Sequence, residues 1–182
     1  MAAAPRRWAA ELLHFWFHVL GPADWFGGGP AVDNALSRRF ARDLDALRSQ
    51  PPHAFMGDRL TAQAAILLFD QVPRNIHRGT PEAFASDGLA RAICTRFIGR
   101  GWHRGLSDQA RTFAGMPLMH SERIADQRAS LAYFFDLPDA RGFARDHWRM
   151  IARFGRFPHR NPVLGRQSSA AERAAVAAGN AW

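Results

Sequence analysis

The sequence predicts an all-α fold, a single-domain antiparallel array of helices over residues 1–182, with residues 1–6 disordered. Apolar residues recur at helical spacing almost throughout the chain, and no alternating pattern typical of a strand persists. Capping residues and Gly or Pro stops divide the chain into short segments, and sequential helices with short loops are typical of all-α domains. At 182 residues, the chain can bury a core without disulfides or metals.

The first helix is predicted over residues 7–20 and ends at Gly21 and Pro22. A Gly/Pro-rich loop over residues 25–30 follows. Residues 31–48 form the next predicted helix, because apolar residues fall on one stripe and the arginines lie elsewhere. The stripe consists of Val32, Leu36, Phe40, Leu44 and Leu47.

The helix predicted over residues 58–71 carries no charge between residues 60 and 69 on any face, so we expect it to be central and enclosed. Asp70 falls at its predicted C-terminal end, where the helix dipole disfavours a carboxylate by about 0.3–1 kcal/mol. A guanidinium must offset this cost, and the candidates are Arg74, the nearest along the chain, and an arginine of residues 154–162. The pair is either a structural pin between loops or a positioned base.

Cap and stop residues predict the remaining helix boundaries. The predicted starts are Thr80-Pro81, Ser86-Asp87, Ser107, Ser121, Pro138-Asp139 and Ser169, and the predicted ends are Gly101, Pro117, Asp136, Gly155 and Gly179. Ser169 and Glu172 fit a capping box. In the helix that Ser121 starts, Ile124, Leu131 and Phe134 are expected to point inward.

The helix predicted to begin at Pro138 separates its arginines from its apolar residues. One sector holds Arg145, Arg149, Arg153 and Arg156, and the opposite sector holds Phe143, Met150, Ile151 and Phe154. His147 falls within the apolar sector, either as a satisfied core residue or as an inward acid, base or ligand group. The arginine row is either a solvated face or a phosphate-binding surface, and no aromatic residues interleave it, so nucleic-acid binding is not expected.

Charge and cysteine content limit the classes of function. All 24 residues counted as Lys or Arg are arginine, and the formal net charge is +8. A GC-rich genome accounts for this bias, and polyanion binding is the alternative. Cys94 is the only cysteine, which suits a reducing compartment. No uncharged run approaches the ~20 apolar residues of a membrane span, so we expect a cytoplasmic protein without a membrane partner.

Three polar segments supply one candidate site: residues 70–75, residues 120–122 and residues 154–162. The proposed catalytic residues are Asp70, His159 and Glu122, and the proposed ligand-binding residues are Gln71, Arg74, Asn75, His120, His147, Arg156, Arg160 and Asn161. This set suits a small molecule that bears a carboxylate or phosphate. Neither a metal nor a cofactor is predicted, since metal-ligand spacings and a glycine-rich phosphate loop are both absent.

The same segments closely resemble an uncharacterised bacterial family, domain of unknown function nine-hundred-and-twenty-four. The resemblance runs from about Glu11 to the C-terminal helix and rests on Trp16-Phe17, residues 67–75, Arg78-Gly79, Phe84, Asp87, Pro117-Leu118, residues 120–122, Asp126-Gln127 and residues 154–161. It implies an all-α fold in the tetratricopeptide-like superfamily and no established activity. Val72 stands where the family has Phe. In the family, a His-Ser-Glu segment commonly follows a short Pro-Phe or Pro-Leu segment, and Met119 lies between the two in this chain. His147 also matches a family position.

Two functions remain open. The first is binding or processing of a small anionic metabolite, which predicts that the polar segments converge in one concave pocket. The second is a tetratricopeptide-like scaffold that binds a peptide or protein partner, with the polar motifs as structural ion pairs.

Overall fold

The computed structural model describes residues 7–179, and within that range the regular elements are helices without strands. This confirms the all-α class, whereas the tetratricopeptide-like arrangement stays a prediction. The disorder predicted for residues 1–6 lies outside the described residues. Over the described part of the chain, no helix has the length and apolar character needed to cross a membrane.

Nine α-helices lie within residues 7–179. They are α1 (Arg7–His14), α2 (Pro22–Gly27), α3 (Pro30–Leu47), α4 (Arg59–Ile76), α5 (Asp87–Gly99), α6 (Asp108–Met119), α7 (Ile124–Tyr133), α8 (Pro138–Phe154) and α9 (Ala170–Ala177). A π-helical turn, Phe15–Val19, extends α1, and 3-10 turns lie at Pro52–Phe55, Pro81–Phe84 and Pro158–Arg160.

Helix α4 is central, as its uncharged face predicts, and it packs against α1, α3, α5 and α6. Asp58 caps its N-terminus by accepting a hydrogen bond from the Thr61 amide at 2.9 Å. Residues 61–73 are all buried, whereas Leu60 is exposed. Leu68 lies in the main hydrophobic core with no exposed surface, so its replacement by alanine is expected to cost about 2–5 kcal/mol.

Two prolines lie inside helices, although the sequence predicts that the first of these helices ends at residue 71 and the second at Pro117. Pro73 lies within α4, which continues to Ile76, and Pro117 lies within α6. Each proline removes one helical hydrogen bond, a cost of about 3 kcal/mol that burial of both prolines helps to offset. Consequently Asp70 lies six residues before the end of α4, where the dipole effect on its carboxylate is weak.

Ser121 does not cap α7, contrary to the prediction, because α7 begins at Ile124 with Arg123 in the cap position. The Ser121 hydroxyl instead donates to Asp126 at 2.7 Å and accepts from the Arg123 amide. His120 is the C-terminal cap residue of α6, so residues 120–122 form a connection between helices.

Three smaller predictions are also wrong. Residues 25–27 belong to α2, because Trp25 packs on Phe113 with ring centroids 5.2 Å apart, and the loop is confined to the glycines that follow. Ile124 and Phe143 are 39% and 54% exposed, so helical periodicity alone overstated their burial.

Close approach of α6 to α7 depends on Gly115. A Cβ atom at this position would lie 2.3 Å from Cε1 of Tyr133 and 2.9 Å from Cζ of Phe134. The Tyr133 hydroxyl donates to the Arg111 carbonyl at 2.9 Å, which fixes the far end of the ring. The absence of a side chain at Gly115 therefore sets the separation of the two helices just before His120.

Cys94 lies on the buried face of α5 with no exposed surface. Burial raises the pKa of its thiol far above the usual range.

Candidate functional site

A buried carboxylate and an imidazole form the centre of the site. Asp70 has no exposed surface, and its two carboxylate oxygens lie 2.8 and 3.0 Å from Nδ1 of His120. Gln71 donates to the same carboxylate, and Nη1 of Arg74 lies 3.3 Å from it. Burial raises the pKa of Asp70, but Arg74, His120 and Gln71 outweigh burial and hold it well below its usual range.

The ionised state of Asp70 fixes the protonation of His120. Burial lowers the pKa of His120, so the ring is neutral near pH 7. Because an ionised carboxylate can only accept, Nδ1 of His120 must carry the ring proton that is donated to Asp70. Nε2 then keeps its lone pair and can accept a proton. This is the geometry of a general base oriented by a carboxylate.

A second carboxylate, Asp87, links two arginines from distant parts of the chain. Both terminal nitrogens of Arg74 donate to Asp87, at 2.8 and 3.0 Å. Nη1 of Arg160 reaches Asp87 at 3.3 Å. The chain Asp70, Arg74, Asp87, Arg160 therefore connects the helix that carries residues 70–75 to the loop after α8.

Arg160 lies between two aromatic rings. Its guanidinium carbon is 4.6 Å from the ring centroids of both Phe84 and Phe157. The residue is 6% exposed, and its buried Nε has no hydrogen-bond partner among the described residues. Burial, assisted by repulsion from Arg74, lowers the pKa of Arg160 to about 10. This guanidinium is buried and charged, yet within residues 7–179 only one of its five N–H donors is used, in a long hydrogen bond to Asp87.

His120 and Arg160 line the same cleft, whose volume is about 340 Å³. The polar lining residues are Asp87, Arg91, His120, Ser121, Glu122, Arg160 and Arg166, and the others are Pro81, Phe84, Ala85, Gly88, Pro117 and Leu164. Asp70, Gln71 and Arg74 lie behind this lining and reach it through His120 and Asp87.

Glu122 lies at the edge of the cleft with both oxygens engaged. It accepts from the Phe157 amide at 2.9 Å and from Nη1 of Arg166 at 2.9 Å. Burial raises its pKa, but Arg166 and the Phe157 amide outweigh burial and lower it. Glu122 is therefore ionised at neutral pH and fixes the loop that carries Arg160.

Two further histidines lie near His120. The ring of His147 is 6.1 Å from that of His120, and its Nδ1 donates to the Phe143 carbonyl at 2.8 Å. Burial lowers the pKa of His147 to about 3. His159 packs on Phe157, and burial lowers its pKa to about 4. Both rings are neutral at pH 7, so they add no charge to the site.

Three residues predicted for the site lie outside the cleft. Arg156 pairs with Glu172 of α9, with a shortest distance of 2.7 Å. Asn161 donates to Ser168 at 3.1 Å within the same C-terminal loop. Asn75 donates to the Gln71 carbonyl one turn earlier in α4. The first contact fastens the loop after α8 to α9, the second lies within that loop, and the third is local to α4.

Four cleft residues were not predicted as part of the site, namely Arg91, Arg166, Asp87 and Phe84. Asp87 was assigned only to a helix start and to the family pattern, and carboxylates are common in a first helical turn. Its role depends on arginines 13 and 73 residues away, which no local pattern reveals. Within residues 7–179, no three His, Cys, Asp or Glu side chains cluster so as to hold a metal ion.

Comparison with known proteins gives two matches and one negative result. A family model described as "Bacterial protein of unknown function (DUF924)" matches residues 12–180. A solved structure of ATU0120, a protein of unknown function from Agrobacterium tumefaciens, is similar at 34% identity with a TM-score of 0.87. The similarity covers 92% of this chain and 96% of that one. No curated protein matches the chain.

Proposed function

This chain belongs to the bacterial DUF924 family, and we propose that it binds a small anionic metabolite in the cleft, where His120 accepts a proton from it. In this proposal, Arg160 binds the anion, and the pair formed by Asp70 and His120 carries out the proton transfer.

The observation that carries the proposal is the unsatisfied guanidinium of Arg160. A buried charge is costly unless paired and hydrogen-bonded, and one 3.3 Å contact with Asp87, which Arg74 also holds, is weak compensation. A carboxylate or phosphate oxygen in the cleft would supply the missing acceptor. The flanking rings of Phe84 and Phe157 hold the guanidinium plane in place before a ligand arrives.

His120 would act on the ligand that Arg160 orients. Nε2 takes a proton from the bound molecule, and the resulting imidazolium is stabilised by the ionised Asp70 at Nδ1. Asp70 is thus a positioning residue, and His120 is the group that meets the ligand. A bound anion would also raise the pKa of His120 by its negative charge, which makes the ring a better base when the cleft is occupied.

A thermal-shift measurement tests the anion-binding part, with benzoate and phenyl phosphate as probes. A bound probe must stabilise the native protein by mass action. We expect at least one probe to raise the melting temperature of the native protein, and Arg160→Met to abolish the response while keeping the apolar stem between the rings. Arg145→Gln, on the exposed face of α8, is the matched control and should respond normally.

The histidine part is tested by NMR of the imidazole nitrogens. We expect His120 to be protonated at Nδ1 in the free protein and its Nε2 resonance to move when the effective probe is added. The exposed His14 should not respond. The proposal would be overturned if only Arg145→Gln lost the thermal response, or if the His120 resonance did not move when the probe was added.

One observation favours the scaffold function instead. A second cleft of about 360 Å³ lies between α1, its π-helical turn and α4, and Leu13, Phe17 and the exposed Leu60 line it. An amphipathic peptide could bury this apolar surface. Peptide binding followed by fluorescence anisotropy should then be lost in Leu60→Asp and retained in Arg160→Met.

A further inference from the structure

We infer that the ligand of the cleft is a monocarboxylate with a small apolar body, in preference to a phosphate dianion. This inference rests on the proposed function and specifies its substrate class. Three properties of the cleft support it: the net charge of its lining, the number of donors left open, and the position of its apolar residues.

The cleft lining carries a single excess positive charge. Arg91, Arg160 and Arg166 contribute three positive charges, and Asp87 and Glu122 contribute two negative charges. His120 is neutral, since burial lowers its pKa. One negative charge on a ligand would therefore balance the lining, whereas a second would remain uncompensated in a partly buried site.

Charged groups directly behind the lining do not alter this balance. Asp70 is paired with Arg74 at 3.3 Å, so that pair adds no net charge. Asp126 lies 3.7 Å from both Arg91 and Arg123, and the charge that Arg123 adds cancels that of Asp126.

Both carboxylates that line the cleft are already paired with arginines. Asp87 takes both terminal nitrogens of Arg74 and one of Arg160, and Glu122 takes Nη1 of Arg166 with both of its oxygens. Two ligand oxygens match the N–H groups that Asp87 leaves open on Nη1 and Nη2 of Arg160. A phosphate dianion would bring a second negative charge into a lining that already holds the carboxylates of Asp87 and Glu122.

Apolar residues form the rest of the lining. Pro81, Phe84, Pro117 and Leu164 contribute side chains without charge or hydrogen-bonding groups. A ligand held at Arg160 by its carboxylate would place an apolar body against them, next to His120. At about 340 Å³, the cleft is at the small end of ligand pockets.

Titration with benzoate and phenyl phosphate distinguishes the two anions, because they share a ring and differ in charge at pH 7.5. We expect benzoate to bind the native protein at least tenfold more tightly in isothermal titration calorimetry. Tighter binding of phenyl phosphate would overturn this inference and leave the proposed function standing. Binding of neither anion would overturn both.

A charge variant provides the second test. Glu122→Gln preserves side-chain volume and an acceptor for the Phe157 amide, and it raises the net charge of the lining from one to two. We expect this variant to narrow the preference for benzoate over phenyl phosphate at least tenfold. Asp45→Asn, an exposed site on α3, is the matched control and should leave the ratio unchanged. An unchanged ratio in a folded Glu122→Gln protein would show that charge balance does not select the ligand.

Discussion

Replacing Gly115 with alanine is expected to destabilise the protein, although alanine favours a helix more than glycine does. The helical preference alone would stabilise α6 by about 1 kcal/mol. Against it, the new methyl group would lie 2.3 Å from the Tyr133 ring, which the Arg111 carbonyl also holds. Overpacking of this kind costs about 1–3 kcal/mol, and so close a contact places the cost at the upper end.

The net loss is therefore about 1–2 kcal/mol, or a fall in melting temperature of roughly 2–8 °C for a domain of this size. Gly142→Ala in α8 is the matched control, because a Cβ there meets nothing within 4 Å. That variant should gain roughly 0.5–1 kcal/mol in the same urea and thermal denaturation assays. Equal stabilisation by both variants would refute the argument that Gly115 sets the spacing of α6 and α7.

Three further predictions concern the site and its support. The pKa values of His147 and His159 are lowered to about 4 or below, so the unfolded chain binds protons that the native state does not, and stability should fall as pH drops from about 6.5 towards 4. As the pH drops, each histidine lowers the free energy of unfolding by about 1.4 kcal/mol per pH unit. Urea denaturation at several pH values should therefore show a weaker pH dependence of this free energy in His147→Asn. Asp87→Asn should cost about 1.5–3 kcal/mol, because Arg160 loses its carboxylate partner; a cost no larger than that of Asp45→Asn would contradict this. Arg156→Gln should lower the melting temperature and leave benzoate binding unchanged, and a change in affinity would place Arg156 in the site after all.

The bounds of a helix could be predicted from the sequence where residues at its own ends determine them. The Ser169–Glu172 capping box and the left-handed Gly155 are local features, and both lie where the sequence predicts them. Pro73 and Pro117 were misassigned because their helices continue through tertiary burial, which outweighs the local cost of proline. Ser121 was misassigned because Asp126, in the following helix, competes for its hydroxyl.

Several residues of the candidate site could be predicted from the sequence, but their hydrogen-bond partners could not. Residue types alone pointed to Asp70, His120 and Arg160, since carboxylate, imidazole and guanidinium groups suit anion binding and proton transfer. The sequence suggested that an arginine of residues 154–162 pairs with Asp70. In the structure, Arg160 donates to Asp87 and Arg156 donates to Glu172 instead. Such choices depend on how helices and loops pack across separations of 16 to 73 residues, and local sequence carries no record of them.

The solitary, fully buried thiol of Cys94 has a practical consequence for measuring all of these effects. In the native state its high pKa and lack of exposure prevent attack on disulfide reagents, so labelling requires that α5 separate from its neighbours. The labelling rate of the unmodified protein therefore reports opening of the core beside α4. Ligand-induced protection and the effects of individual substitutions can be followed with this one native probe, without adding a fluorophore or a second cysteine.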